Sequence, residues 1–387
     1  MNTPASRRIL ALDVFRGVTI AGMILVNDPG SWSYIYVPLR HAEWIGLTPT
    51  DLVFPFFMFI MGISIFISLK KYDFKWSGEV AKKVIKRTLL LYLVGFGLNW
   101  ITLSFKTWHS LYDQNLSFLT HFFQSITNFE HIRISGVIPY LAVNYGITAL
   151  FVLTVKHKHI PYLIISLLLT YALILFFGNG FTHNETNITS IIDRKIMGIN
   201  HMYNDNGIEP ESIISILSSV AHVLIGFVAG RKMFEAKELC DKVQRLFIMG
   251  VILTFAGFLI SYASPICKKV WSSSFTIVSC GFGTSLTALL IWIIDIKGYR
   301  KWTVFFETFG VNPLLMYLMS MTLATILGGI RFYVGDKSIN VVRYIYANLL
   351  QPVFGNYGGS LMYAILFTLL IWSLGYRLYK RKIYIKL

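Results

Sequence analysis

Apolar runs of about 20 residues recur along the whole chain, at roughly 9–27, 51–69, 86–104, 135–155, 160–178, 212–230, 246–263, 273–295, 303–328 and 358–379. That is the length a helix needs to cross a hydrocarbon core about 30 Å thick. Composition agrees, with 55% hydrophobic and only 14% charged residues, where a soluble chain carries roughly a quarter charged. The expected fold is an all-α polytopic integral membrane protein, a bundle of about ten transmembrane helices forming a single domain over residues 1–387. The first run is not a cleavable leader, because Asp13 and Arg16 interrupt it and no small-residue cleavage site follows.

A net charge of +16 would suit a nucleic-acid binder, so its distribution matters. With the N-terminus inside, 24 of the 35 Lys and Arg residues fall on the inner side, among them Arg7, Arg8, the Lys70–Arg87 group and the Arg377–Lys386 group. This is the positive-inside pattern, so the charge reports topology and nucleic-acid binding is rejected. Both termini are then cytoplasmic, and the protein reads as a multi-pass component of the cell inner membrane. Four long loops, 28–50, 105–134, 179–211 and 329–357, face outward and carry interleaved Trp and Tyr. They suit either a sugar-binding face or an interfacial aromatic belt. Cys240, Cys267 and Cys280 form no CxxC pattern and the nine histidines no HExxH spacing, so no metal site is expected.

Chemistry concentrates where the first outer loop meets the second run. Thr48-Pro49-Thr50-Asp51 reads as a helix start, with Asp51 three residues after the cap. His41 lies ten residues earlier, in a loop framed by Pro38 and Pro49. An imidazole oriented by a carboxylate is the usual general base for an amine or hydroxyl. The plainer readings are a helix cap for Asp51 and a backbone-bonded loop residue for His41. Asp13 and Arg16 are three apart inside a span and able to pair, as a structural ion pair or as part of a functional path. Asn27 closes the same span, where Asn also serves as a C-cap. His222 suits a hydrogen bond to a neighbouring helix, and Asn312-Pro313 breaks the ninth run.

Three segments together resemble the catalytic region of heparan-alpha-glucosaminide N-acetyltransferases. They are Leu12-Asp13-Val14-Phe15-Arg16-Gly17, Met23-Ile24-Leu25-Val26-Asn27, and the specific run His41-Ala42-Glu43-Trp44-Ile45-Gly46-Leu47-Thr48-Pro49-Thr50-Asp51-Leu52-Val53-Phe54-Pro55. Lys269-Val270-Trp271-Ser272, Asp295-Ile296-Lys297-Gly298 and Gly310-Val311-Asn312-Pro313 agree with it. The resemblance implies an acyltransferase that moves an acetyl group from cytoplasmic acetyl-CoA to the amine of a glucosamine-type sugar on the periplasmic side. It implies His41 as the active histidine, Asp51 as its acidic neighbour and Asn27 as a polar contributor. Asp13, Arg16 and Asn312 are assigned to the acetyl-CoA side. Many relatives carry Gln-Arg where this chain has Pro139-Tyr140, a departure that removes a cation from the start of the fourth span.

The expected partners are acetyl-CoA, an amino sugar and the lipid bilayer, with a homodimer left open. The alternative class is an amino-sugar permease in which the same residues bind without reacting. Such transporters often show internal repeats with matching broken helices, and the sequence shows no internal repeat. The topology has its own test: a cysteine at Ser33 should react with an impermeant maleimide added to intact cells, and one at Ser77 should not. The reverse pattern would invert the scheme.

Overall fold

The computed structural model describes residues 9–111, 117–203, 205–334 and 337–385, with the side chain of Lys337 left aside. Arg7, Arg8 and Lys386, counted above among the inner cations, lie outside the described residues. Among the described residues, nine helices are long and apolar enough to cross a membrane, and a bent pair supplies a tenth span. In chain order these are Leu10–Asn27, Pro49–Lys70, Gly78–Ser110, Val137–Thr154, His157–Phe177, Ile216–Glu235, Leu239–Ile260, Ser273–Ile296, the pair Thr303–Val311 and Pro313–Gly329, and Val341–Lys380. Each falls on one of the ten apolar runs.

The differences have local causes. The ninth span turns by 87° at Asn312. Asn312 leaves helical geometry at φ −129° and ψ 53°, and Pro313 restarts the helix at a position where a missing N–H costs nothing. The tenth begins well before its apolar run, and Gly355 at φ 70° breaks it where the run begins. Arg331–Val334 and Lys337–Asn340 pair as a short antiparallel hairpin between the ninth and tenth spans, which the all-helical expectation did not include.

Burial separates an inner group of helices from a lipid-facing one. The most apolar windows of the first, second, fourth, sixth and eighth spans are 61–72% buried, whereas those of the third, fifth and seventh are 17–22% buried. Lipid tails offer no hydrophobic drive for helix association, so close backbone approach matters more than in water. The second and sixth spans achieve it through Gly62 and Gly226. A Cβ on Gly62 would stand 2.1 Å from the Val223 carbonyl oxygen, and one on Gly226 would stand 2.2 Å from that of Phe59. Pro55, inside the second span, leaves its carbonyl accepting a hydrogen bond from His222 Nε2 at 2.9 Å. The second span, whose first turn carries Asp51, is thereby held against the centre of the bundle.

Gly226→Val should destabilise the protein by about 1–3 kcal/mol, the usual cost of overpacking, because the obstructing atom is backbone. A lowered thermal transition in detergent checks this; an unchanged one would show that the two helices can separate freely.

Candidate active site

Asp51 uses its two carboxylate oxygens for different purposes. Oδ2 accepts from the Thr48 N–H at 3.0 Å, the Thr48 hydroxyl at 3.0 Å and the Ala42 N–H at 3.1 Å. These bonds are the reciprocal half of a capping box and tie the loop to the helix start. Oδ1 faces His41 Nδ1 at 2.7 Å. The cap and the histidine partner, alternatives in the sequence, are both realised by one side chain.

The His41 loop is fixed from several sides. Trp44 Nε1 donates to the Phe181 carbonyl at 2.7 Å, and its ring stacks on His183 with centroids 4.2 Å apart. The Gly46 N–H donates to Ile266 at 2.8 Å from a backbone at φ 131°, which side-chain-bearing residues rarely adopt. Thr48 and Thr50 hydroxyls bond back to the Arg40 and Pro38 carbonyls. Trp44, read as a candidate sugar-facing or belt aromatic, is an anchor for this loop.

The pair opens into a cavity of about 420 Å³, a size typical of small-molecule sites. The Asp51 side chain is 1% exposed and that of His41 44%, so the carboxylate is sealed and the imidazole is presented. With Asp51 accepting at Nδ1, the neutral ring carries its proton there and offers the Nε2 lone pair. Lys268 Nζ stands 3.0 Å from Nδ1, 3.4 Å from Nε2 and 3.8 Å from Asp51 Oδ1. Desolvation at the cavity wall lowers the His41 pKa from its ordinary 6.5; the Asp51 hydrogen bond opposes this and the Lys268 charge adds to it. The net shift favours the neutral imidazole.

Across the cavity, Arg133 bridges two carboxylates. Its Nε donates to Glu209 Oε2 at 3.1 Å, and its terminal nitrogen reaches both Glu209 Oε1 and, at 2.5 Å, Glu211 Oε2. Lys269 pairs with Asp205 at 2.8 Å. Trp271 underlies the site, 2% exposed, at φ 50°, with an indole N–H that has no hydrogen-bond partner among the described residues.

Of the residues singled out from sequence, His41, Asp51 and Asn27 line this cavity, whereas Asp13, Arg16 and Asn312 do not. Arg16 bonds Asp13 at 3.2 Å, as the three-residue spacing implied, and also reaches Ser64 Oγ at 3.0 Å and the Gly310 carbonyl at 3.4 Å. Asn312 donates to the Ile383 carbonyl at 2.9 Å and accepts from the Ile385 N–H at 2.8 Å, holding the C-terminal segment. Tyr140, at the departure from the Gln-Arg pattern, is buried behind Trp271 with its hydroxyl 2.7 Å from Ser215 Oγ.

Two further cavities flank the bundle. A larger one of about 940 Å³ shares Asn27 and Tyr203 with the first and is lined also by Asp28, Trp32, Tyr34, Tyr346 and Gln351. Burial pushes the Asp28 carboxyl up to about 7, and its Oδ2 has no partner among the described residues. The other, about 300 Å³, lies where the second span ends and the third begins, and is lined by Lys71, Lys83, Lys86, Arg87, Tyr72 and Tyr145. Arg87 stacks over Tyr145 at 4.7 Å, and its buried Nε has no hydrogen-bond partner among the described residues.

Lys268→Met should remove one of the influences that lower the His41 pKa. The acid limb of kcat/KM against pH should then move to higher pH, and a limb that stays put would deny the contact. Comparison with known proteins places this geometry in context. A family model described as "Heparan-alpha-glucosaminide N-acetyltransferase, catalytic" matches residues 8–238. The chain is 24% identical to the heparan-alpha-glucosaminide N-acetyltransferase of Mus musculus over 385 residues, covering 81% of this chain and 53% of that protein. It is 25% identical to that of Homo sapiens over 379 residues, covering 80% and 52%. The chain thus spans about half the length of the curated relatives it matches.

Proposed function

The chain belongs to the heparan-alpha-glucosaminide N-acetyltransferase catalytic family, and we propose that it transfers an acetyl group from cytoplasmic acetyl-CoA to the amine of a glucosamine-type sugar on the periplasmic side of the inner membrane. The observation that carries this reading is the sealed Asp51 carboxylate orienting His41 toward a cavity at the outer end of the second span. A permease reading gains no comparable support, since a binding histidine has no need of a dedicated buried carboxylate.

The polyanionic donor is matched at the opposite end. The inner cavity offers Lys71, Lys83, Lys86 and Arg87, with Arg87 Nε, which has no hydrogen-bond partner among the described residues, as a donor for a phosphate oxygen. Arg16, oriented by Asp13, supplies a cation within the bundle, and Asn312 secures the C-terminal segment on the same inner half. Asp51 and Lys70 bound the second span, about 28 Å of helical rise apart, a distance the extended donor arm is proposed to cover.

In the transfer step, His41 Nε2 accepts a proton from the attacking amine. Asp51 keeps Nδ1–H directed and steadies the charged ring. Asn27, at the cavity wall, donates to the oxyanion that develops on the acetyl carbonyl. Lys268 disfavours the imidazolium and so favours passing that proton on to the departing sulfur.

Acetyl-CoA sealed on the inner side of oriented proteoliposomes should acetylate glucosamine supplied only outside. His41→Ala should reduce this by at least ~10², the usual worth of a general base, while purifying normally. Transfer only when both substrates share one side would sink the cross-membrane part of the reading, and full activity of the variant would remove His41 from the chemistry.

A further inference from the structure

An amine that meets this site at neutral pH arrives mostly as ammonium, so two protons leave nitrogen on the way to an amide. His41 is suited to one of them. Lys268 stands beside both ring nitrogens, and a second cation there makes the imidazole a poor acceptor for a resting ammonium proton. The cavity contains a second group placed for that task. Glu211 lines it together with His41, and its backbone is held by the Ser135 hydroxyl bonding its carbonyl at 2.6 Å and by its own N–H bonding Glu209 at 3.2 Å.

The local charge balance points the same way. Arg133, Lys268 and Lys269 face Asp51, Asp205, Glu209 and Glu211, which leaves one carboxylate in excess, and Glu43 at the exposed rim adds another. Arg133 is shared by two carboxylates, and the geometry with Glu209 is the more complete, because two guanidinium nitrogens and the Tyr203 N–H at 2.7 Å all address it. Glu211 has the weaker claim on the guanidinium. A cationic ligand would neutralise the excess.

Resting on the acetyl-transfer reading, we infer that Glu211 is a second catalytic residue that binds the acceptor ammonium and takes its first proton, leaving the second to His41. The first N–H bond breaks as the Glu211 carboxylate gains a proton, which frees the nitrogen lone pair. That pair forms the bond to the acetyl carbon and the carbon–sulfur bond breaks. His41 Nε2 takes the second proton and delivers it to sulfur, so the products are the amide and the free thiol. The Glu211 proton leaves to solvent through the cavity mouth, giving one proton released per ammonium consumed.

The groups facing Glu211 are Arg133, Glu209, Lys268, Tyr140 and Tyr317. Burial, reinforced by Glu209, raises the Glu211 pKa above the ordinary carboxylate value against the pull of Arg133 and Lys268. Such a carboxylate retains a proton more readily than an exposed one and can still release it near neutral pH.

The test uses the full chain, acetyl-CoA and two acceptors: glucosamine, and an aryl amine such as p-anisidine that is uncharged at pH 7. Glu211→Gln should lower kcat/KM for glucosamine at pH 7 by about 10² or more, with the aryl amine little changed. Raising the pH should restore glucosamine turnover in the variant, because bulk water then removes the first proton. Equal loss on both acceptors at every pH would make Glu211 merely structural, and no loss on either would remove it; both overturn the inference. If Glu211→Gln does not fold, Glu211→Asp carries the same comparison, with the same acceptor split expected and its absence decisive. Failure of the unsubstituted protein to acetylate either amine would instead overturn the acetyl-transfer reading itself.

Discussion

The site depends on the division of labour within the Asp51 carboxylate. One oxygen completes the helix start and gathers the Ala42 and Thr48 backbone around it, and the other holds His41. Orienting the imidazole therefore adds no buried charge beyond the one the helix end already favours. A carboxylate buried for the histidine alone would need other donors to offset its desolvation. Here the cap supplies them, and the loop geometry that brings His41 near is set by the same bonds.

What the sequence revealed of this site follows from distance along the chain. His41, Asp51 and Asn27 occupy one stretch, where cap chemistry and a run of specific residues could be read together. Lys268, Glu209, Glu211 and Arg133 come from three other segments between spans, and nothing in a single sequence says that these segments converge. Arg133 opens the very segment whose Pro139-Tyr140 departure suggested a lost cation, yet the cation that reaches the cavity is Arg133 itself. Lys269-Val270-Trp271-Ser272 was the remaining signal, at a span entrance: Lys269 pairs with Asp205, and Lys268, just before the segment, meets Asp51. The ten spans were legible because hydropathy is a local property. The partner of Asn312 was not, because it lies some 70 residues on, at the opposite end of two helices.

Helix packing makes that convergence rigid. Gly62 and Gly226 let the second and sixth spans approach backbone to backbone, and Gly17 and Gly310 do the same for the first and ninth, where an added Cβ would stand 1.7 Å from the Phe306 carbonyl and 1.9 Å from that of Asp13. These contacts fix the helices that carry Asn27, Asp51 and Tyr317 to the cavity wall. The third span, though largely exposed, brings Lys83, Lys86 and Arg87 to the smaller cavity, whereas Asn27 and Asp51 come from buried spans.

Charge sorts the two ends of the second span. The described residues lining the cavity at the Lys70 end include four cations and no carboxylate, whereas the His41 cavity mixes three cations with Asp51, Asp205, Glu211 and Glu43. Fields of this kind draw a polyanion to the first and a cation to the second. Screening over about 8 Å keeps each field local, so the two ends do not cancel across the bundle. The cationic cavity and the carboxylate-bearing one thus lie at opposite ends of one helix, the second span, whose first turn carries Asp51 and whose last turn carries Lys70.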